Sequence, residues 1–319
     1  MLGARIEIPL ADESVFLGLG TAAAGGRFGV EVRASLVEAL IADAERALAL
    51  GAETITFLGT EPLRRAADAS RVVRAIEAAG WPLHVLSHEE EALLTLIGAT
   101  GGRPVTEPLA VVDIGGGSSD IAIVEPGGPP VATGVRAGAG VLSREHVAHD
   151  PPLRDELDEV RRAAAGLLLT ATAGVGKVRS VVAVGGTSTN VVKVLAAADP
   201  AQPDPWLTRE RLEAALDLLL AAPADETALR YVLNPTRARL LPAGIAILEA
   251  TLDRFGVDRL RADDAGIREG TILSVAREGA FWRDALPTLA GGWADEPAGE
   301  VAGADEPVSH GSEAVDARR

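Results

Sequence analysis

Residues 113–120 read DIGGGSSD: two aspartates bracket three glycines and two serines, with apolar runs on either side. Each residue type brings its own chemistry. Glycines 115–117 let the backbone take positive φ and let another group approach closely, because no Cβ intrudes. Successive N–H groups in such a turn form a concave anion site, and Ser118 and Ser119 add hydroxyl donors. Asp113 and Asp120 can hold a hard divalent cation, directly or through water, beside a bound phosphate. Glycines and acids together therefore suit a metal–phosphate complex. The same window also fits a β-hairpin with a loose polar turn, and the residues alone leave both readings open.

Other candidate loops fall short. The turn is not G-x-G-x-x-G, and a second apolar strand follows it instead of a helix, which argues against a dinucleotide fingerprint. The stretch TAGVGKVRS around Lys177 has Ala171 where a phosphate loop needs its first glycine and Val178 where it needs Ser or Thr. It reads as an ordinary turn. His146, His149 and Asp150 have metal-ligand types, but no third cluster accompanies them, and a surface helix end fits better. The chain has no cysteine, which excludes disulfides, thiolate catalysis and Cys-based zinc sites together.

The 319 residues carry a net charge of −16. Seven acids and two arginines from Pro287 onward supply −5 of it. An acidic body argues against a nucleic-acid surface, which normally shows a basic patch. It does not forbid anionic substrates, since a few arginines and backbone N–H groups make a local positive pocket. No apolar run is long enough to span a membrane. The start, MLGARIEIPLADE, lacks the pattern of a secretory signal, so a cytoplasmic protein is expected.

The elements that must position these residues alternate between strand and helix. Leu36, Leu40, Ala44 and Leu48 recur at helical spacing over 32–50, and Gly51 ends that helix. A strand is expected over 54–60, a helix over 62–79, a strand over 81–87 and a helix over 89–97. A break at 100–108 precedes strand Leu109–Ile114, the glycine turn and a second strand over 120–125. Helices near 153–172, 189–197, 208–221, 242–255 and 268–277 follow, with strands at 178–186 and at RLRADD. Alternation plus one hairpin predicts a mixed α/β sheet. Domains are expected at 1–106 and 107–286, with a disordered acidic tail over 287–319.

DIGGGSSD at 113–120 resembles the second phosphate loop of the exopolyphosphatase / guanosine pentaphosphate phosphohydrolase (Ppx/GppA) family, in the actin-like ATPase superfamily. Four further blocks are similar to the family's, in order and spacing: LGTEPLRRAAD (58–68), VLSHEEEALL (85–94), AVGGTSTN (183–190) and LPAGIAIL with DDAGIREG (241–270). The resemblance covers about 20–280. It implies an actin-like (ribonuclease H-like) two-lobed α/β fold with mixed sheets.

What the resemblance implies can be placed residue by residue. Glu91 matches the general base of the Glu-Glu-Ala block, with Glu90 as reserve; a solvated helix start would otherwise explain three glutamates at 89–91. Arg64 matches the phosphate-binding arginine. Gly115, Gly116, Gly117 and Ser118 would cradle phosphate, with Asp113 and Asp120 near Mg²⁺ or Mn²⁺. Gly185, Gly186 and Thr187 would line the cleft from the second lobe, where a plain strand-to-helix turn is the competing reading.

Three departures stand out. The family's first phosphate loop, Asp-x-Gly-Ser/Thr-Asn-Ser, has no counterpart, so the first lobe reads as N-terminally truncated, through a start codon placed late or through loss of half the phosphate clamp. Asp120 stands where the family usually has Glu. His88 and Leu93 replace an expected glycine and arginine, and His88 would narrow the pocket or alter its pH response. The implied activity is release of terminal phosphate from inorganic polyphosphate, with guanosine pentaphosphate as second substrate and no nucleic-acid or membrane partner; a homodimer is also implied. Two alternatives are a non-catalytic polyphosphate- or alarmone-binding protein and, after it, a kinase-like use of ATP.

Overall fold

The computed structural model describes residues 10–13, 15, 17–200 and 204–293. A small unit comes first: α1 (Leu19–Ala24), α2 (Gly29–Ala49), β1 (Phe57–Gly59), α3 (Glu61–Arg65), α4 (Ala69–Ala78) and β2 (Leu83–Val85). β1 and β2 pair in parallel. Their core is made by Phe28 and Leu36 of the α2 region, Leu63, Val72 and Ile76. The single helix expected over 62–79 is two helices. The break falls at Asp68, whose carboxylate turns away to accept the N–H groups of Phe28 (2.8 Å) and Gly29 (3.1 Å) at the start of α2. It also pairs with Arg33. A tertiary cap on α2 thus outweighs helix continuity at 66–68.

The larger unit follows: α5 (His88–Thr100), β3 (Leu109–Ile114), β4 (Ser119–Val124), β5 (Val131–Val135), α6 (Ala139–His146), α7 (Arg154–Ala171), β6 (Ser180–Val184), α8 (Gly186–Ala198), β7 (Trp206–Thr208), α9 (Arg209–Leu220), α10 (Ala224–Tyr231), α11 (Pro235–Phe255), β8 (Arg259–Asp263), α12 (Ile267–Glu278) and α13 (Trp282–Leu289). Six strands form one mixed sheet in the order β5-β4-β3-β6-β8-β7. β3, β6 and β8 run parallel, and β4, β5 and β7 pair antiparallel with their neighbours.

Strand period decides which residues face which layer. Val112, Ile114, Ile121 and Ala183 face Leu157, Leu168, Val194, Leu212 and Ile245 of the helices on one side. Their sequence neighbours Val111, Ala122, Val182 and Val184 face Leu94, Ile97, Leu273 and Trp282 on the other. Both faces are covered, so the strands read as continuous apolar runs with little alternation.

α5 lies in that second layer. The expected division at 106 would place it with the small unit, but its apolar residues are buried against the large sheet and α12–α13. The α5–α12 crossing is backbone-close. A Cβ on Gly270 would stand 1.9 Å from the Leu94 carbonyl oxygen, and one on Gly98 would stand 2.1 Å from that of Gly266. The acidic tail also begins later than expected. α13 continues to Leu289, which is buried, and Trp293 packs over Gly102 and under Arg277; residues 294–319 lie outside the described residues. Among the described residues, no helix is long and apolar enough to cross a membrane.

Candidate active site

In the hairpin, β3 has its expected bounds and β4 runs one residue earlier than expected, which places Asp113 directly opposite Asp120 in the ladder. Gly115 to Ser118 form a four-residue turn closed by the Gly115 N–H on the Ser118 carbonyl at 2.9 Å. None of the three glycines adopts the left-handed backbone, contrary to the expectation of positive φ. Close approach is what requires them. A Cβ on Gly117 would stand 2.6 Å from Glu61 Oε2. Behind the turn, α6 begins so tightly that a Cβ on Gly138 would stand 2.5 Å from the Gly116 and Gly117 backbone. The N–H groups of Ala139 and Gly140 bond the Gly115 and Gly116 carbonyls at 2.9 Å. Both carbonyls are thus tied to α6 behind the turn.

The two aspartates differ in surroundings. Asp120 is buried, accepts from Ser118 Oγ at 2.9 Å and lies 2.5 Å from His88 Nδ1. The space for this contact comes from Gly134, the cross-strand partner of Asp120, where a Cβ would stand 2.4 Å from Asp120 Oδ1 and 2.5 Å from His88. Asp113 is flanked by Asp120 and by Gly185, where a Cβ would stand 2.6 Å from its Oδ1. Burial, and then the neighbouring Asp120 charge, push the Asp113 carboxyl up to about 7. Two carboxylates pressed together in this way fit a hard divalent cation, which needs only one or two protein carboxylates when substrate phosphates complete its shell. Among the described residues no group of three acids or histidines forms a ready-made cage.

Arg64, in the last turn of α3, reaches across from the small unit. Its Nη1 donates to the Leu86 carbonyl at 2.8 Å and to Glu91 Oε1, and its Nη2 lies 3.1 Å from His88 Nδ1. Burial lowers its pKa while Asp120, Glu61 and Glu89 pull it back up, and the guanidinium stays charged. Glu91 is buried on the first turn of α5.

Glu90 is elsewhere. It closes a capping box with Ser87, accepting the Ser87 N–H at 2.7 Å, and accepts from Arg283 of α13, with Nη2 at 2.8 Å. Those Arg283 bonds, helped by the Ser87 N–H, hold its carboxyl below the usual range. The reserve role expected for Glu90 therefore meets a side chain already engaged in joining α5 to α13. Ser87 as N-cap explains why the helix begins at His88.

The second glycine loop ends β6. Gly185 has φ 86°, and Gly186 opens α8 beside Asn190 and the Arg237 guanidinium, whose Nη1 would stand 3.3 Å from a Cβ there. Thr187 Oγ1 donates to the Ile114 carbonyl at 2.8 Å, and its methyl packs on Gly244 of α11. Its single hydroxyl proton thus ties loop to strand. Ser118, which donates to Asp120, is in the same position. Both residues expected to bind phosphate have their donors engaged, so phosphate would meet backbone N–H groups and arginine.

The structure therefore brings Arg64, Glu91, Asp113, Asp120 and the two glycine loops to the carboxyl ends of β3 and β6, where ligands of open α/β sheets bind. Sequence reasoning missed Glu61, Gly134, Gly138 and Arg237. The signal for Glu61 was its place three residues before Arg64; the others touch the site from distant segments. His146 ends α6, His149 bonds Glu156 at 2.8 Å, and Asp150 accepts the Ala224 N–H, so that trio does not converge on a metal.

Comparison with known proteins gives the arrangement its relatives. Exopolyphosphatase 1 of Mycobacterium leprae is 28% identical over 248 residues, covering 72% of this chain and 70% of that protein. The guanosine-5'-triphosphate,3'-diphosphate pyrophosphatase of Vibrio cholerae is 26% identical over 74% of this chain but only 47% of its own length. The crystal structure of the Aquifex aeolicus Ppx/GppA family member superposes with a TM-score of 0.70 at 24% identity, over 82% of this chain and 88% of that one. The hairpin, the Arg64 helix, α5 and the α11–α12 signature all lie inside residues 12–278, over which the Ppx/GppA phosphatase family model matches, and the chain belongs to that family.

Proposed function

We propose that the protein hydrolyses the terminal phosphoanhydride of inorganic polyphosphate, with guanosine pentaphosphate as a second substrate. The observation that carries the reading is the meeting of Arg64 and Glu91 with the Asp113–Asp120 pair at one glycine turn. The named activities of the relatives support it. The Arg64 fork takes the terminal phosphate bidentately, and the turn amides take oxygens of the next. Glu91 orients a water for in-line attack and accepts its proton. Asp113 and Asp120 would hold Mg²⁺ or Mn²⁺, which supplies charge neutralisation on the phosphoanhydride oxygens. His88 fixes Asp120, and Ser118 locks the same carboxylate from the turn side. With Asp120 already fixed, the turn amides would face the charge that develops on the leaving phosphate without reorganising.

Phosphate release from short-chain polyphosphate and from guanosine pentaphosphate, with and without Mg²⁺, tests the reading. Cation-dependent release from either substrate is expected. Tight binding of both without any release would instead favour a non-catalytic binding protein.

A further inference from the structure

Glu61 has no part in the mechanism above, yet it stands in the cleft. It is the first residue of α3 and is 8% exposed. Its Oε1 lies 3.2 Å from Arg65 Nη1, one turn on. Its Oε2 lies over Gly117, so close that a Cβ there would stand 2.6 Å away. The other side of the turn is shut by Gly138 and Gly140 at the start of α6. An anion drawn to the turn amides therefore arrives beside a buried carboxylate.

An acid in the first turn of a helix is often there for the helix. α3 has only five residues, and the Glu61 side chain is bonded forward to Arg65 with no bond to the helix amides. Its position is better accounted for by what it faces. Two anions in contact in a partly desolvated cleft repel strongly, and most of that repulsion is relieved when a bound cation covers the phosphate charge. Glu61 thus acts unequally on the free and the metal-complexed forms of one ligand, penalising the free one.

We propose that Glu61 is a specificity-determining residue that makes the glycine turn select a phosphoanhydride complexed with a divalent cation over the free polyanion. The proposal rests on the polyphosphate reading of this cleft. Arg65 tempers the effect, since its guanidinium partly neutralises the carboxylate.

The test is calorimetric binding of methylenediphosphonate, a diphosphate that cannot be hydrolysed, in chelator and in excess Mg²⁺. In wild type the Mg²⁺ complex should bind well and the free anion poorly. Glu61→Gln should raise free-anion affinity about tenfold or more and leave the Mg²⁺ complex within a few-fold. Arg65→Gln should move the free anion the other way. An unchanged ratio of the two affinities in Glu61→Gln, with its Tm retained, would overturn the proposal. So would loss of Mg²⁺-complex binding alone, which would make Glu61 a cation ligand. Should Glu61→Gln not fold, Arg65→Gln decides, and free-anion affinity that fails to drop overturns it. If wild type binds neither form, the polyphosphate reading itself falls and takes this inference with it.

Discussion

The guanidinium of Arg64 is bonded to the carboxylate of Glu91, so the group expected to bind phosphate holds the group expected to activate water. The two come from different layers. Arg64 sits on α3 in the small unit, and Glu91 sits on α5, which is packed into the large sheet. On the proposed reading, an incoming phosphate would compete with Glu91 for the same fork, and its capture by Arg64 would release the base once substrate is in place.

Glu91→Gln preserves size and hydrogen bonding while removing basicity. Turnover of polyphosphate should fall on the order of 10²–10⁴-fold. Affinity should stay within a few-fold or rise slightly. Paired kcat and binding measurements check this, and an active Glu91→Gln would remove the general base from the mechanism.

Glu90→Gln should separate from it cleanly. Its losses are the charged partner of Arg283 and part of the α5 cap, which together cost about 1–2 kcal/mol. Thermal unfolding should shift down by a few degrees while kcat per folded molecule barely changes. The reverse pattern would move the base one residue back.

Asp113 governs a pH dependence of stability. With a folded pKa of about 7 against 3.8, the folded state keeps a proton that the unfolded chain loses. Stability therefore falls as pH rises from about 4 to about 7, by on the order of 2 kcal/mol after allowance for its partial exposure. Asp113→Asn should flatten this decline in urea unfolding curves recorded in chelator, and should also abolish stabilisation by Mg²⁺. A decline that persists in the variant would assign it to another group.

Asp68 works with the opposite sign. Its burial opposes ionisation, but the N–H groups of Phe28 and Gly29 and the Arg33 bond outweigh that and hold its pKa at about 2. Its contribution is complete above about pH 4 and is lost as pH falls from there to about 2. Asp68→Asn should lower Tm at neutral pH and converge with wild type at pH 2. Equal Tm values at neutral pH would leave the α2 cap without energetic weight.

Gly270→Ala tests the α5–α12 crossing. The added methyl meets the Leu94 carbonyl at 1.9 Å, a rigid backbone atom, so the helices must part. Overpacking of this kind costs about 1–3 kcal/mol or more. Unfolding midpoints report it directly, and a neutral substitution would show that the crossing is loose.

How far this was legible in the sequence depended on the range of the forces involved. The β3–turn–β4 hairpin is local, and its strands and the Asp113–Asp120 opposition follow from four turn residues between apolar runs. Arg64 and Glu91 were found by resemblance, and their bond to each other was not foreseen. The break of α3 from α4 was hidden because Asp68 serves α2, some forty residues earlier. β5 and α6 were missed because VATGVRAGAG is rich in small residues without a clear period; Gly134 and Gly138 are small to admit His88 and the turn. Pro242 reads as a helix start, but Asn234 caps the helix at Pro235 and Pro242 sits buried inside it. Glu90 looked interchangeable with Glu91 until Arg283, 193 residues away, separated them.

With the Ser118 and Thr187 hydroxyls committed to Asp120 and Ile114, the loops would hold phosphate through peptide groups alone. Such a grip has an asymmetric response to substitution, because exchanging one side chain for another can add atoms to it but cannot delete a donor. Only proline removes a peptide N–H. Alanine scanning would therefore report crowding, not contribution. At Gly116, which faces open space, a methyl is harmless; at Gly117 it displaces the flexible end of Glu61, and at Gly138 it strikes the turn's backbone from behind. Gly116 would then rank as dispensable although its amide would serve phosphate as well as that of Gly117.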